Sequence, residues 1–180
     1  MKRLFLLRHA KSGWDDPVAR DFDRPLNAKG KRAARAIGRY LRDEKLVFDR
    51  VTASPATRVV ETLDEVAAGR GATLAPVWDK RLYLASASAL LDIVQDAAND
   101  SDSLLLVGHN PGLEELVLLL VPDREDDMTR DEIEEKLPTA SFVELRFDVA
   151  SWDAVAENGG TLGRFVRPRD LDPALGPGQP

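Results

Sequence analysis

Residues 4–16 read LFLLRHAKSGWDD. An apolar run, Leu4 to Leu7, stops abruptly at Arg8-His9, and a polar loop with two prolines follows over residues 10–26. A short, uninterrupted apolar run bounded by polar residues is the pattern of a strand buried on both faces, as in a parallel sheet. The chain holds only two histidines, and one stands at the mouth of this first strand beside an arginine.

The same pattern recurs downstream. Val47–Ala53 reads as a second strand, followed at once by Ser54-Pro55. Serine suits an N-cap and proline the first helical position, so a helix is expected from there to about Ala68, closed by Gly69-Arg70-Gly71. Arg58 falls in its first turn. Ser103–Val107 is a strongly apolar strand that leaves through Gly108-His109-Asn110-Pro111-Gly112 into a helix over Leu113–Leu120.

Between these units, Asn27 can cap a helix running to about Glu44, with Ala33, Ala34, Ile37, Tyr40 and Leu41 at helical spacing. Thr73–Val77 reads as a short strand, and Ser86 or Ser88 caps a helix to about Ala98. Residues 123–136 are acidic and helix-prone, with a solvated face. Phe142–Phe147 alternates as a strand, and Leu162–Val166 is a last one after Gly159-Gly160. The segment 168–180, rich in proline and glycine, reads as a loose tail, leaving 1–167 as a single domain.

Strand–helix alternation predicts a three-layer α/β/α sandwich with a mostly parallel sheet. Ligands gather outside the carboxyl ends of such strands. His9, Ser54 with Arg58, and His109 all fall at strand exits, so three distant segments are expected at one edge. Taken singly, each has a bland reading as a packed or surface residue. Their joint placement is what points to chemistry.

Composition narrows the field. The 180 residues are 43% hydrophobic and 31% charged, with no cysteine. That is an ordinary globular composition, without disulfides, thiolate metal sites or cysteine nucleophiles. No apolar run reaches the roughly 18–20 residues of a membrane span, and the N-terminus reads as a strand, not a signal peptide. A net charge of −6 argues against nucleic acid as partner. A cytoplasmic protein with neither membrane nor nucleic-acid partner is expected.

Two imidazoles and two guanidiniums suit phosphoryl chemistry. Guanidinium forks grip phosphate oxygens. A neutral imidazole can attack phosphorus and divide one displacement into two, and a second imidazole can stabilise the equatorial oxygens. No set of carboxylates demands a metal, so neither metal nor cofactor is expected. No glycine-rich phosphate loop follows the first strand, which argues against a nucleotide-binding domain.

These residues resemble the histidine phosphatase superfamily, or phosphoglycerate mutase-like fold. The resemblance rests on Leu7-Arg8-His9-Ala10, on Ser54-Pro55-Ala56-Thr57-Arg58 with Glu61-Thr62, and on Leu106-Val107-Gly108-His109-Asn110-Pro111, in the family's order over roughly residues 1–150. Asp23-Arg24-Pro25-Leu26-Asn27 with Gly30, and His109-Asn110-Pro111-Gly112, are similar to the SixA-like branch of phosphohistidine phosphatases. The resemblance implies His9 as nucleophile, Arg8 and Arg58 as phosphoryl grips, and His109 as transition-state stabiliser. Ser12 and Asp15 would stand at the rim. It also implies a non-catalytic phosphate-binding module as a poor fit, since all four core residues are present.

One departure is informative. Relatives acting on phosphate esters usually carry a carboxylic acid either just after the second histidine or in the segment before the late helix. Here those places hold Asn110 and Leu82-Tyr83-Leu84-Ala85-Ser86, with Asp79 nearby. Loss of a general acid typically costs ~10²–10⁴ in rate with a poor leaving group. A phosphoimidazole leaves readily once protonated near neutral pH. Residues 79–103 also leave no room for a large cap insertion. The sequence therefore predicts a metal-independent phosphatase acting on phosphohistidine in proteins. The alternative is a broad phosphomonoesterase or mutase acting on small phosphorylated metabolites.

Overall fold

The computed structural model describes residues 1–13 and 20–180. Asp15, one of the two expected rim residues, lies outside the described residues.

Six strands form one sheet: β1 (Lys2–Arg8), β2 (Arg50–Ala53), β3 (Val77–Trp78), β4 (Ser103–Gly108), β5 (Phe142–Phe147) and β6 (Gly160–Val166), in the order β3-β2-β4-β1-β5-β6. The first four are mutually parallel, and β5 and β6 are antiparallel. Helices α1 (Ala28–Asp43) and α2 (Thr57–Arg70) cover one face. The other carries α3 (Ala87–Gln95), α4 (Gly112–Leu120) and α5 (Met128–Glu135).

The alternation of strand side chains divides the apolar runs between two cores. Leu4 and Leu6 of β1, with Leu104 and Leu106 of β4, pack under α3–α5. Phe5 and Leu7, with Leu105 and Val107, pack under α1 and α2. The uninterrupted apolar runs are thus explained: both faces are buried. This is the expected phosphoglycerate mutase-like α/β sandwich.

Two close approaches fix the α1–α2 face. A Cβ on Gly38 would lie 2.1 Å from the Val66 carbonyl oxygen, and one on Gly69 would lie 2.1 Å from that of Arg35. Only glycine lets the two helix backbones meet so closely. Gly69, expected as a helix stop, is therefore a packing contact inside α2, and the left-handed Gly71 (φ 79°) ends the helix. At the start of α1, the Asn27 side chain accepts from the Gly30 amide at 2.8 Å, as the capping reading requires.

Several boundaries differ from the sequence reading. The second strand begins at Arg50 and not Val47, because the Asp49 carboxylate accepts from the Asp102 and Ser103 amides and turns the chain there. The expected strand 73–77 shrinks to Val77–Trp78. Helix α2 starts at Thr57 without a side-chain cap; the Ser54 hydroxyl is engaged elsewhere, with His109. Residues 168–180, read as loose, form a short helix α6 (Pro168–Leu171) and a following turn. They dock on α1, where the Lys29 Nζ donates to the Gly176 and Gln179 carbonyls at 2.6 Å each.

Among the described residues, no helix is long and apolar enough to cross a membrane.

Candidate active site

The parallel strands β1, β2 and β4 end together, and backbone bonds lock their exits. The His9 amide donates to the Gly108 carbonyl and the Ser54 amide to the Val107 carbonyl, each at 3.0 Å. Strand order reverses here, with β4 inserted between β1 and β2, the usual place for a ligand crevice.

His9, Arg58 and His109 converge there as expected. The two imidazole centroids are 5.3 Å apart. His9 Nδ1 lies 2.7 Å from the Ala10 carbonyl oxygen. A carbonyl only accepts, so Nδ1 carries the proton and Nε2 holds the lone pair. The Arg58 Nε approaches that Nε2 at 3.4 Å, on the donor side of a weak bond. Burial, foremost, and then the nearby His109, Arg58 and Arg8 push the His9 pKa down to about 3, although the Ala10 bond works the other way. His109 falls to about 4, again chiefly by burial and then by Arg58. Both rings are neutral at physiological pH.

His109 is held from β2. Its Nε2 lies 2.8 Å from the Ser54 Oγ, which itself accepts from the Ala56 amide at 3.3 Å. The Ser54 oxygen can accept from a protonated Nε2, or its hydroxyl can donate to a bare one; in the second tautomer the ring proton stands on Nδ1. That Nδ1 is buried and has no partner among the described residues. Arg8 is similar. Its Nη1 donates to the Leu137 carbonyl at 2.8 Å, while its buried Nε has no partner among the described residues. Burial and the charge of Arg58 press the Arg8 pKa down, and Glu114 partly offsets them. A buried, unmatched donor is costly, and two such donors beside a neutral imidazole make a place for an oxyanion.

Thr62 ties the parts together. Its hydroxyl accepts from the Ala10 amide at 2.9 Å and donates to the Arg58 carbonyl at 2.6 Å. The Gly30 approach, 2.1 Å from a virtual Cβ to the Lys11 oxygen, anchors the loop after His9 on α1.

Three residues enter that the sequence reading missed in this role. Asp21 accepts from Arg58 Nη2 at 3.1 Å, from Arg24 Nε at 2.9 Å and from the Tyr83 hydroxyl at 2.7 Å. Arg58 Nη1 also donates to the Asp21 backbone carbonyl at 2.9 Å. Tyr83 stacks edge-on against His109, 5.4 Å between centroids. Burial works to raise the Asp21 pKa, but the Tyr83 hydroxyl, Arg24 and Arg58 outweigh it and hold it at about 2. A carboxylate is therefore present, but it stays ionised. The only signal for it in the sequence is the arginine–aspartate spacing before Pro25. Asp79 accepts from Arg81 at both carboxylate oxygens, from Nε at Oδ1 and from Nη2 at Oδ2. Asn110 donates to the Leu137 carbonyl and accepts from the Glu114 amide, so it is structural here. Ser12 reaches the site only indirectly, accepting from Arg24 Nη1 at 3.2 Å. Among the described residues, no group of three or more histidine, aspartate or glutamate side chains gathers as a metal site.

Comparisons with known proteins agree with this geometry. A family model described as "Histidine phosphatase superfamily (branch 1)" matches residues 4–83. An uncharacterized protein of Mycobacterium tuberculosis is 33% identical over 164 residues, 91% of this chain and 100% of the relative. Among solved structures, a protein named by inference as a phosphohistidine phosphatase SixA, from Nakamurella multipartitia, superposes with a TM-score of 0.80 at 28% identity, covering 93% of this chain and 96% of its own. A protein histidine phosphatase SixA complexed with tungstate shares the fold, with a TM-score of 0.75 at 23% identity over 94% of this chain and 99% of its own.

Proposed function

Since the chain belongs to the histidine phosphatase superfamily (branch 1), we propose that it is a metal-independent phosphatase that hydrolyses phosphohistidine in proteins. The observation that carries the reading is the neutral His9, with Nδ1–H tied to the Ala10 carbonyl and Nε2 left as a lone pair beside Arg58.

In the first step, the His9 Nε2 lone pair attacks phosphorus and forms a new P–N bond. The P–N bond to the substrate imidazole breaks, and that nitrogen takes a proton from solvent as it leaves. Arg8, Arg58 and the Nδ1–H of His109 donate to the three equatorial oxygens as charge spreads over them. In the second step, water attacks the phospho-His9 phosphorus. The P–N bond to His9 breaks as the new P–O bond forms, the water's proton leaves on the phosphate or to solvent, and His9 Nε2 regains its lone pair. Metal ions and cofactors have no role in this scheme.

The ionised Asp21 supports a phosphoramidate substrate over an ester, because a carboxylate held at about 2 cannot protonate an alkoxide at neutral pH. The test is a paired turnover assay on a histidine-phosphorylated protein domain and a simple phosphate monoester, with His9→Ala as control. Strong preference for phosphohistidine, lost in the variant, is the expected result. Equal or better turnover of the ester would shift the assignment to a phosphomonoesterase or mutase acting on small metabolites.

A further inference from the structure

A cavity of about 280 Å³ is lined by Arg8 but by neither imidazole, and its walls carry six cations: Arg8, Lys11, Lys29, Lys136, Arg167 and Arg169. They come from the end of β1, the loop after it, the first turn of α1, the end of α5 and the start of α6. No carboxylate is among the described residues lining it. In a chain of net charge −6, such one-signed lining is not a reflection of composition.

The cations divide into two groups. Two of the three guanidinium groups are engaged: Arg167 holds Asp170 through Nε and Nη2, and Arg8 donates to the Leu137 carbonyl through Nη1. Lys29 is spent on the two carbonyls of the C-terminal segment. Lys11, Lys136 and Arg169 are exposed, and their charged groups enter no ion pair among the described residues. Like charges already press on one another here, since desolvation and then Lys11 and Arg32 lower the Lys29 pKa.

We propose that this groove is a docking subsite for aspartate and glutamate side chains flanking the phosphohistidine of the protein substrate; the inference rests on the functional reading above. Two points favour carboxylates over a second phosphoryl group. The Arg167 fork is already taken by Asp170, and two of the three unpaired charges are lysine ammoniums on flexible stems, which follow a mobile carboxylate well. The cavity also exceeds what a lone phosphoryl group fills. Its lining Arg8 has the unmatched Nε of the catalytic cluster, so a flanking carboxylate would enter within one side chain of the reacting phosphorus. A local cationic patch of this kind steers an acidic partner that the overall negative charge would otherwise repel.

The test uses two phosphohistidine peptides of equal length. One carries aspartate and glutamate on both sides of the phosphohistidine, and the other has asparagine and glutamine in their place. A kcat/KM about five- to tenfold higher for the acidic peptide at low salt is expected, collapsing at about 0.5 M salt. The double variant Lys136→Glu with Arg169→Glu should abolish or invert that preference through KM, while leaving turnover of free phosphoimidazole unchanged. Equal rates on the two peptides, or a preference untouched by the double variant, would overturn the subsite while the functional reading stood. Pyrophosphate inhibiting the wild type much more tightly than phosphate, with that gap lost in the variant, would reassign the groove to a second phosphoryl group. No turnover of phosphoimidazole or of either peptide would remove the functional reading and the subsite together.

Discussion

The two ends of β1 carry nearly the same residue types and treat them in opposite ways. At its start, Lys2 and Arg3 are both paired. Lys2 Nζ donates to the Asn99 and Ser101 carbonyls and to Asp102. Arg3 joins Arg146 and Arg164 around Glu144, which is 0% exposed. Burial works to raise the Glu144 pKa, but bonds from Arg146, Arg3 and Arg164 outweigh it and hold it below its ordinary value. At the strand's other end, the Arg8 Nε and the Nδ1 of the neighbouring His109 have no partner among the described residues. Folding pairs the charges at one pole and, among the described residues, leaves buried polar atoms at the other unmatched. A buried charge cluster with every valence filled is scaffold; one with valences open is waiting for an anion.

The sharpest way to break that contrast is at His9. Removing the nucleophile should lower turnover by about 10⁴-fold or more while the far-ultraviolet circular dichroism stays native. Full activity in a folded His9→Ala protein would take His9 out of the mechanism. Next in size is Arg58→Ala. It acts on bound ground state and transition state alike, so steady-state kinetics should show KM rising and kcat falling, together about 10²–10³-fold.

The start of β1 should respond in the opposite currency. Glu144→Gln is expected to cost about 1–3 kcal/mol in denaturant unfolding, as three arginines lose their shared acceptor. It should leave kcat/KM where it was. The sign with pH follows from the lowered Glu144 pKa. Its contribution is complete above the unfolded carboxylate value and fades as pH falls through the folded one. A smaller effect is expected from an oxyanion added to the open pole. Tungstate or phosphate at ten times its Kd should stabilise the fold by about 1.4 kcal/mol, read as a rise in Tm, and His109→Ala should blunt the rise.

The smallest expected change is none at all. In NMR titrations of the free protein, the His9 and His109 ring signals should stay flat from pH 8 to 5, because their pKa values lie near 3 and 4. Both depressed values mean that stability, full above about pH 6.5, declines as pH falls towards them and the unfolded chain takes up protons that the native rings refuse. Titration near 6.5 would contradict the neutral-nucleophile geometry. Activity in EDTA should likewise be unchanged.

The open pole was largely legible in the sequence, and the reason is local. His9, Arg58 and His109 each follow a strand that announces itself by its apolar run, and parallel strands deliver their exits to one edge. The ring around them was less legible. Asp21 meets Arg58 and Tyr83 across 37 and 62 positions of chain, through a loop with no periodicity to read. Ser54 looked like a helix cap because serine before proline usually is one; only the approach of β4 redirects its hydroxyl to His109. The docked segment 168–180 was misjudged for a similar reason. Its composition says nothing of the Lys29 ammonium that gathers its carbonyls.

The Thr62 hydroxyl acts as a joint. By accepting from the Ala10 amide and donating to the Arg58 carbonyl, it fastens two pieces of chain separated by nearly fifty residues to a single oxygen atom. The Thr62 oxygen thus ties the start of α2 directly to the backbone beside His9. The positions of His9 and Arg58 at this edge are set relative to one another through one shared atom and not by separate supports alone.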